Sequence, residues 1–550
     1  MRKRSSPGSA AAKLILALSF LVAVIFPVSS PASAYNGHPK LIVVIVIDQF
    51  RGDYLDRYRD EFGDSGFRFL LDHGAYFPNC NYNYANTRTA PGHATLFTGA
   101  YSNGHGIVSN EWWDQKKKRM ITSVEDDDTK LVGADGKSGA SPHNLMGDTL
   151  GDEMKLATQG KSRVFAVSLK DRASVLPGGF SADAAYWIDP KSGAWITSTY
   201  YRDQLPPWAQ NFNSTRQQKY WDRDWVDAQG TKLASTAHRK SKDGSDAGFY
   251  EVIGPTSFAN QYEFEFAREL IVYENVGRGP ATDLLSISLS ANDILGHHAG
   301  PGSPDMHQMA LDLDRDIADF INFLGHQIGL ADVWIALSAD HGVSPLPDDA
   351  KKLRIPAANL DTSKLESQIN AALTAKFSPG HSAQFMKLDY PQAWLDPDAF
   401  TAAHVHESDA EAAVGEAMKQ AGLRGYYTKS QLAAGEAPNT ALGRKYLNSY
   451  SPEGSWYVLG VPDIFTIGPG KGTDHTSPYN YDTHVPLVLF GIPFQAGTYR
   501  TSAEPIDLAP TLASLLGINP PTHSVGRVLT EAIAPTHPAP GNTHVEKGKP

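Results

Sequence analysis

Asp and His residues in this sequence recur at places where an α/β sheet would gather them. Leu41–Ile47 runs straight into Asp48, Leu284–Leu289 is followed by Asp293-Ile-Leu-Gly-His297, and Val333–Leu337 leads to Asp340-His341-Gly342. Groups just beyond the carboxyl ends of neighbouring strands converge on one crevice of an open sheet. Asp293 and His297 stand four residues apart, which puts them on one face if the segment is helical. His484 directly precedes another apolar run, Val485–Phe490. Three carboxylates and three imidazoles are enough for two metal ions with oxygen and nitrogen ligands. Zinc suits that set best, and no thiolate is needed. His298 and His475 compete for the same roles, and His297 ranks above His298 because one residue rotates a helical side chain by ~100°.

Such a centre needs a nucleophile. Thr87-Arg88-Thr89-Ala90-Pro91-Gly92-His93 precedes a small, apolar run, Ala94–Gly99, that can open a helix with Pro91 early enough to tolerate its missing N–H. Thr89 then lies at or just before the first turn, where free backbone N–H groups and the helix dipole favour a phosphoryl group. Taken alone, Thr89 reads as a helix N-cap. A threonine hydroxyl attacks only when a metal or base lowers its pKa.

The elements that must hold these groups are legible in outline. Leu41–Ile47, Val164–Leu169, Leu284–Leu289, Val333–Leu337 and Val485–Phe490 are short, continuous runs rich in Val, Ile and Leu. Runs of this kind are strands covered on both faces, as in a parallel sheet. Leu313, Ile317, Phe320, Ile321 and Leu324 form one helical stripe, and Leu508–Leu516 predicts a second helix with Pro510 in its first turn. The expected fold is α/β, a central mostly parallel sheet flanked by helices. Two stretches, 182–266 and 346–457, break the rhythm and read as insertions capping the sheet's active edge. The first holds Trp187, Trp195, Trp208, Trp221 and Trp225.

Composition bounds the partners. A formal charge of −11 over 550 residues argues against a nucleic-acid binder that relies on a basic surface. Arg2, Lys3 and Arg4, the apolar run Leu14–Val28 and Ala32-Ser33-Ala34 have the form of a signal peptide, so residues 1–34 are expected to be removed from a periplasmic or extracellular protein with no membrane span. The domain proper is then 35–533, followed by a Pro-rich tail, 534–550, read as disordered. The single cysteine, Cys80, cannot form an intrachain disulfide and has no general-base pattern around it. Nothing signals an oligomer, and a monomer is the default.

Taken together, Thr89-Ala-Pro-Gly-His, Phe97-Thr98-Gly99 and His105-Gly-Ile-Val-Ser-Asn110 resemble the nucleophile block of the alkaline phosphatase superfamily. Asp48-Gln49, Ser168-Leu-Lys170-Asp-Arg172-Ala, Asp293-x3-His297, Asp340-His341-Gly and Tyr481-Asp-Thr-His484-Val-Pro-Leu follow in that family's order, from about residue 40 to 530. Within it the chain is similar to the bacterial threonine-nucleophile phosphate monoesterases of the PafA and Sphingomonas types. The resemblance implies an alkaline-phosphatase-like sandwich and a secreted, two-zinc enzyme that hydrolyses small phosphate monoesters through a phosphothreonine on Thr89. It assigns one zinc to Asp293, His297 and His484, and the other to Asp48, Asp340 and His341 with Thr89. Asn110, Lys170 and Arg172 match the positions that hold phosphoryl oxygens. The alternative within the fold is a nucleotide pyrophosphatase/phosphodiesterase. That reading shares the Thr, Asn and metal ligands, but its esterified phosphate has no need of a Lys170/Arg172 pair. Sulfatases are set aside because Cys80 is followed by Asn81-Tyr82-Asn83-Tyr84 rather than by their Cys/Ser-x-Pro-x-Arg motif.

Overall fold

The structure, a computed structural model, describes residues 38–136, 138–378, 383–468 and 472–534. The leader reading and all but the first residue of the tail reading fall outside them.

Ten strands build the central sheet. They are β1 (Leu41–Ile47), β2 (Ala75–Tyr76), β3 (Leu131–Val132), β4 (Val164–Ser168), β5 (Ala184–Ile188), β6 (Trp195–Ser198), β7 (Asp283–Leu289), β8 (Val333–Ser338), β9 (Leu487–Phe490) and β10 (Gly497–Thr498). Their order across the sheet is β10-β2-β9-β8-β1-β7-β4-β5-β6-β3. The middle, β8-β1-β7-β4-β5, is parallel throughout, as the continuous apolar runs predict. Every residue of β1 is fully buried. Outside that middle the sheet is mixed: β9 runs antiparallel to both β8 and β2, and β6 runs antiparallel to both β5 and β3.

Alternation along β4 and β5 divides the interior into two layers. Ala166, Ala185 and Trp187 pack with helix α1 (Thr89–Thr98) and helix α2 (Asp171–Gly178), through Ala90, Ala94, Val175 and Leu176. Phe165, Val167, Ala184 and Tyr186 point to the opposite core, where helix α3 (Ser257–Tyr273) and helix α5 (Pro304–Gln327) pack together. Between these two helices in sequence lies the short α4 (Ala291–Ala299). The result is a helix–sheet–helix sandwich. The stripe Leu313, Ile317, Phe320, Ile321 and Leu324 is buried on α5, and α6 (Leu508–Leu516) closes on Gly517 in the left-handed region at φ 64°.

The two expected insertions differ from each other. Segment 346–457 carries most of a separate antiparallel sheet, made of Met386–Asp389, Gln392–Leu395, Tyr457–Val461 and Gly425–Thr428, with its own apolar core. Segment 182–266 is woven into the main body instead. It supplies β5, β6 and the first part of α3, and Trp195, Trp208 and Trp225 are core residues. Burial of these three rings is not visible in composition, which does not show which face a tryptophan packs. Cys80 is fully buried, and burial, followed by Asp507 and Glu504, pushes its thiol pKa well up, which leaves it inert. Among the described residues no helix is long and apolar enough to cross a membrane.

Candidate active site

Register delivers the site. Ile47 of β1 is level with Leu289 of β7, and Val46 with Ser338 of β8, so three strand ends emerge side by side. Asp48 leaves β1 there and donates its backbone N–H to Leu289 (3.1 Å). Asp340 and His341 follow β8, and α4 begins just after β7 and carries Asp293 and His297 one turn apart.

Six of these side chains form two groups of ligand-type atoms: Asp48, Asp340 and His341, all buried, and Asp293, His297 and His475. In the first, His341 Nε2 lies 3.4 Å from Asp48 Oδ1 and 3.7 Å from Asp340 Oδ2. In the second, Asp293 Oδ1 lies 3.1 Å from His297 Nε2 and 3.7 Å from His475 Nε2. Ligands held ~2.0–2.1 Å from one tetrahedral ion are ~3.3 Å apart, so both groups have the edge lengths of such a site. Asp48 Oδ1, Asp340 Oδ2 and His341 Nε2 are buried with no hydrogen-bond partner, which is how ligand atoms stand when the ion's own bonds are left out.

The imidazoles share one further feature. Nδ1 of His297 lies 3.0 Å from the Thr473 carbonyl, Nδ1 of His341 2.9 Å from that of Gly342, and Nδ1 of His475 2.6 Å from that of Thr87. Each Nδ1 therefore donates to a carbonyl, which turns each Nε2 toward a carboxylate group, the orientation metal-binding histidines adopt. His484 does the reverse, with Nε2 2.7 Å from the Pro78 carbonyl and its backbone bridged to Asn81. The structure thus brings His475, not His484, to Asp293 and His297. Adjacency to a strand favoured His484, whereas His475 sits on an irregular loop. His475 was legible only as a competitor.

Lys170 follows β4, and its Nζ lies 2.6 Å from Asp48 Oδ2 and 2.6 Å from Asp293 Oδ2. Each carboxylate therefore turns one oxygen to its imidazole group and the other to a shared ammonium. Burial pushes the Asp48 pKa well up, and Asp293 and Asp340 add to it. Burial also works against ionised Asp293, but Lys170 and His297 override it and hold that pKa well down. Against burial, His341 and His93 hold Asp340 down to about 2, while Asp293 pushes His297 up to about 10. Carboxylates buried this close repel one another, and a cation among them relieves that repulsion.

Thr89 is the first residue of α1 and is buried; the N-cap is Arg88, whose side chain does not cap, so Thr89 is not the cap. The helix start is pressed against Asp340: a Cβ on Gly92 would strike the Asp340 backbone, and His93 Nδ1 lies 2.8 Å from the Thr89 carbonyl and 3.3 Å from Asp340 Oδ2. Asn110 Oδ1 accepts from the Ala90 N–H at 2.8 Å, which ties it to the same turn. Arg172 faces the site from the side of Lys170. With Lys170, Tyr250 and Trp187 it lines a cavity of about 490 Å³, and its Nε is buried without a partner. Gln49, which the sequence marks only as the residue beside Asp48, also reaches both groups. Its backbone N–H donates to Asp340 Oδ1 (3.1 Å) and its side-chain Nε2 to Asp293 Oδ1 (2.6 Å).

Comparison with known proteins agrees with this geometry. Residues 42–430 match the family model described as type I phosphodiesterase / nucleotide pyrophosphatase. The chain is 33% identical to a protein named calcium-transporting ATPase from Myroides odoratus, over 90% of this chain and 95% of that one. It is 32% identical to alkaline phosphatase PhoV of Synechococcus elongatus (90% and 93% covered) and 30% identical to alkaline phosphatase PafA of Elizabethkingia meningoseptica (90% and 94%). A solved structure of PafA superposes with a TM-score of 0.81 at 29% identity, covering 90% of this chain and 99% of that one. The fold and these matches define a hydrolase of the phosphatase class. The chain belongs to the type I phosphodiesterase / nucleotide pyrophosphatase family, in company with the PafA and PhoV alkaline phosphatases.

Proposed function

We propose that the protein is an exported zinc-dependent phosphate monoesterase that works through a phosphothreonine on Thr89. The observation that carries this reading is the pair of ligand groups joined by Lys170 beside the N-terminus of α1. Asp48, Asp340 and His341 would hold one zinc, and Asp293, His297 and His475 the other. Bound there, zinc supplies Lewis acidity, which lowers the pKa of a hydroxyl and offsets charge on a departing oxygen.

The chain's own groups do the positioning. Thr89 Oγ attacks phosphorus in line; the new P–O bond forms as the ester P–O bond breaks, and the alcohol leaves with a proton. Water then attacks the same phosphorus, the Thr89 Oγ–P bond breaks, and inorganic phosphate departs. Asn110, anchored by its Oδ1 on the Ala90 N–H, keeps its Nδ2 free to donate to a phosphoryl oxygen. Lys170 and Arg172 offer the remaining charge, which a dianionic monoester uses more fully than a monoanionic diester. A second solved PafA structure carries substitutions at a threonine, an asparagine, a lysine and an arginine, the four residue types assembled here in the same chain order.

The test compares p-nitrophenyl phosphate with bis-p-nitrophenyl phosphate before and after EDTA, then with zinc restored. A monoester preference that is lost with EDTA and regained with zinc supports the proposal; a diester preference makes the phosphodiesterase reading correct. Thr89→Ala is expected to lower monoester turnover by about 10³-fold or more while both zinc ions remain bound, and near-normal rates would remove Thr89 as nucleophile.

A further inference from the structure

Gln49 occupies a backbone conformation that its residue type does not favour. It is fully buried at φ 63°, in the left-handed region where a Cβ is disfavoured and glycine is the ordinary solution. Something in the side chain must offset that strain, and strained residues of this kind collect at functional sites. The carboxamide supplies it through Nε2, which donates to Asp293 Oδ1, the same oxygen that faces His297 and His475. The backbone N–H of the same residue donates to Asp340 Oδ1, on the other ligand group. One residue therefore bonds both groups, through its main chain on one side and its side chain on the other.

The surroundings are fitted to this carboxamide. A Cβ on Gly296 would collide with Gln49 Oε1, so α4 carries a glycine in its interior where the side chain passes. Glycine there weakens a helix, and Gly296 lies on the same helix as Asp293 and His297. Gln49 Oε1 is buried without a donor, so the side chain is held by its Nε2 bond and by shape. The opposite amide orientation would set Oε1 against a carboxylate oxygen and is ruled out by charge.

We propose that Gln49 is a positioning residue that fixes the Asp293 carboxylate for its metal and sets the two ligand groups relative to each other. It reaches the chemistry only through those carboxylates. The proposal rests on the two-metal reading above. Partners that orient metal-binding carboxylates typically change metal affinity by ~10–100-fold when removed.

Two variants separate this role from a contribution to folding. Gln49→Gly relieves the backbone strain and deletes the carboxamide, and Gln49→Met keeps the bulk and deletes only the N–H donor. Zinc affinity is measured on full-length protein by competition with a chelator, and thermal midpoints are taken on the zinc-free forms. Both variants are expected to lose about 10-fold or more in affinity at one of the two sites. Zinc-free Gln49→Gly should melt no lower than the wild type, and kcat on a monoester should fall with KM little changed. Wild-type zinc affinity in both variants overturns the proposal and leaves the two-metal reading intact. A wild-type protein that binds no zinc overturns both. A lower midpoint for zinc-free Gln49→Gly makes Gln49 a folding residue and also overturns the proposal.

Discussion

Single atoms decide what the two candidate histidines can do. His475 points Nε2 at Asp293 with its Nδ1 proton on Thr87, while His484 spends Nε2 on Pro78. His475→Ala is therefore expected to lower bound zinc from about two ions per chain to about one, since it removes one of only three ligand side chains in its group. His484→Ala should keep both. Metal analysis of dialysed protein checks this, and the opposite pattern would return the ligand role to His484. The sequence-level preference for His484 differs from the grouping in the structure for a specific reason. Strand adjacency reports where the main chain passes, not which way a ring turns. Asp48, Asp293, His297, Asp340 and His341 were legible because each sits one strand end or one helical turn from a recognisable apolar run. Gln49 was visible as part of the Asp48-Gln49 motif but its role was not, since nothing in a residue string announces a left-handed φ.

Elements were legible where both faces are buried. The runs that became β1, β4, β7 and β8 need apolar residues on each side, so their composition alone marks them, whereas β2, β3 and β10 are two residues long and leave no pattern. Helix α5 shows what patterning hides. Its apolar stripe predicts the packing, but Asp316 on the same helix is half-buried, with one buried oxygen that lacks a partner. Burial, reinforced by Asp312, pushes its pKa up to about 8. The carboxyl is thus neutral in the folded chain and ionised in the unfolded one between its ordinary value near ~4 and 8. Folding then takes up a proton, so stability falls as pH rises through that window. Asp316→Asn should flatten the fall, adding about 1 kcal/mol or more at pH 9 and little at pH 4. Thermal midpoints across pH test it, and parallel curves for the two proteins would show that Asp316 is not the group responsible.

At the scale of the whole molecule, the segment with its own small sheet is fastened beside the nucleophile. Arg88, the residue before Thr89, pairs with Asp389 and also donates to Ser109 and to the carbonyls of Asp389 and Tyr390. Gln392 reaches the Val108 carbonyl and Asn86. Asp389→Ala is expected to destabilise the protein by about 1–3 kcal/mol, since it strips a mostly buried guanidinium of its carboxylate. It should also lower kcat/KM, because Thr89 and Asn110 flank the same anchor. Urea melts together with monoester kinetics check both, and a stable variant with full activity would show the fastening to be idle. The ligand groups, finally, are spread unevenly along the polypeptide: one is complete at His341, the other only at His475. The polypeptide therefore brings its two ligand groups to completion in sequence, the Asp340 group first. A fragment that ends between these residues keeps all three side chains of the first group but only two of the second.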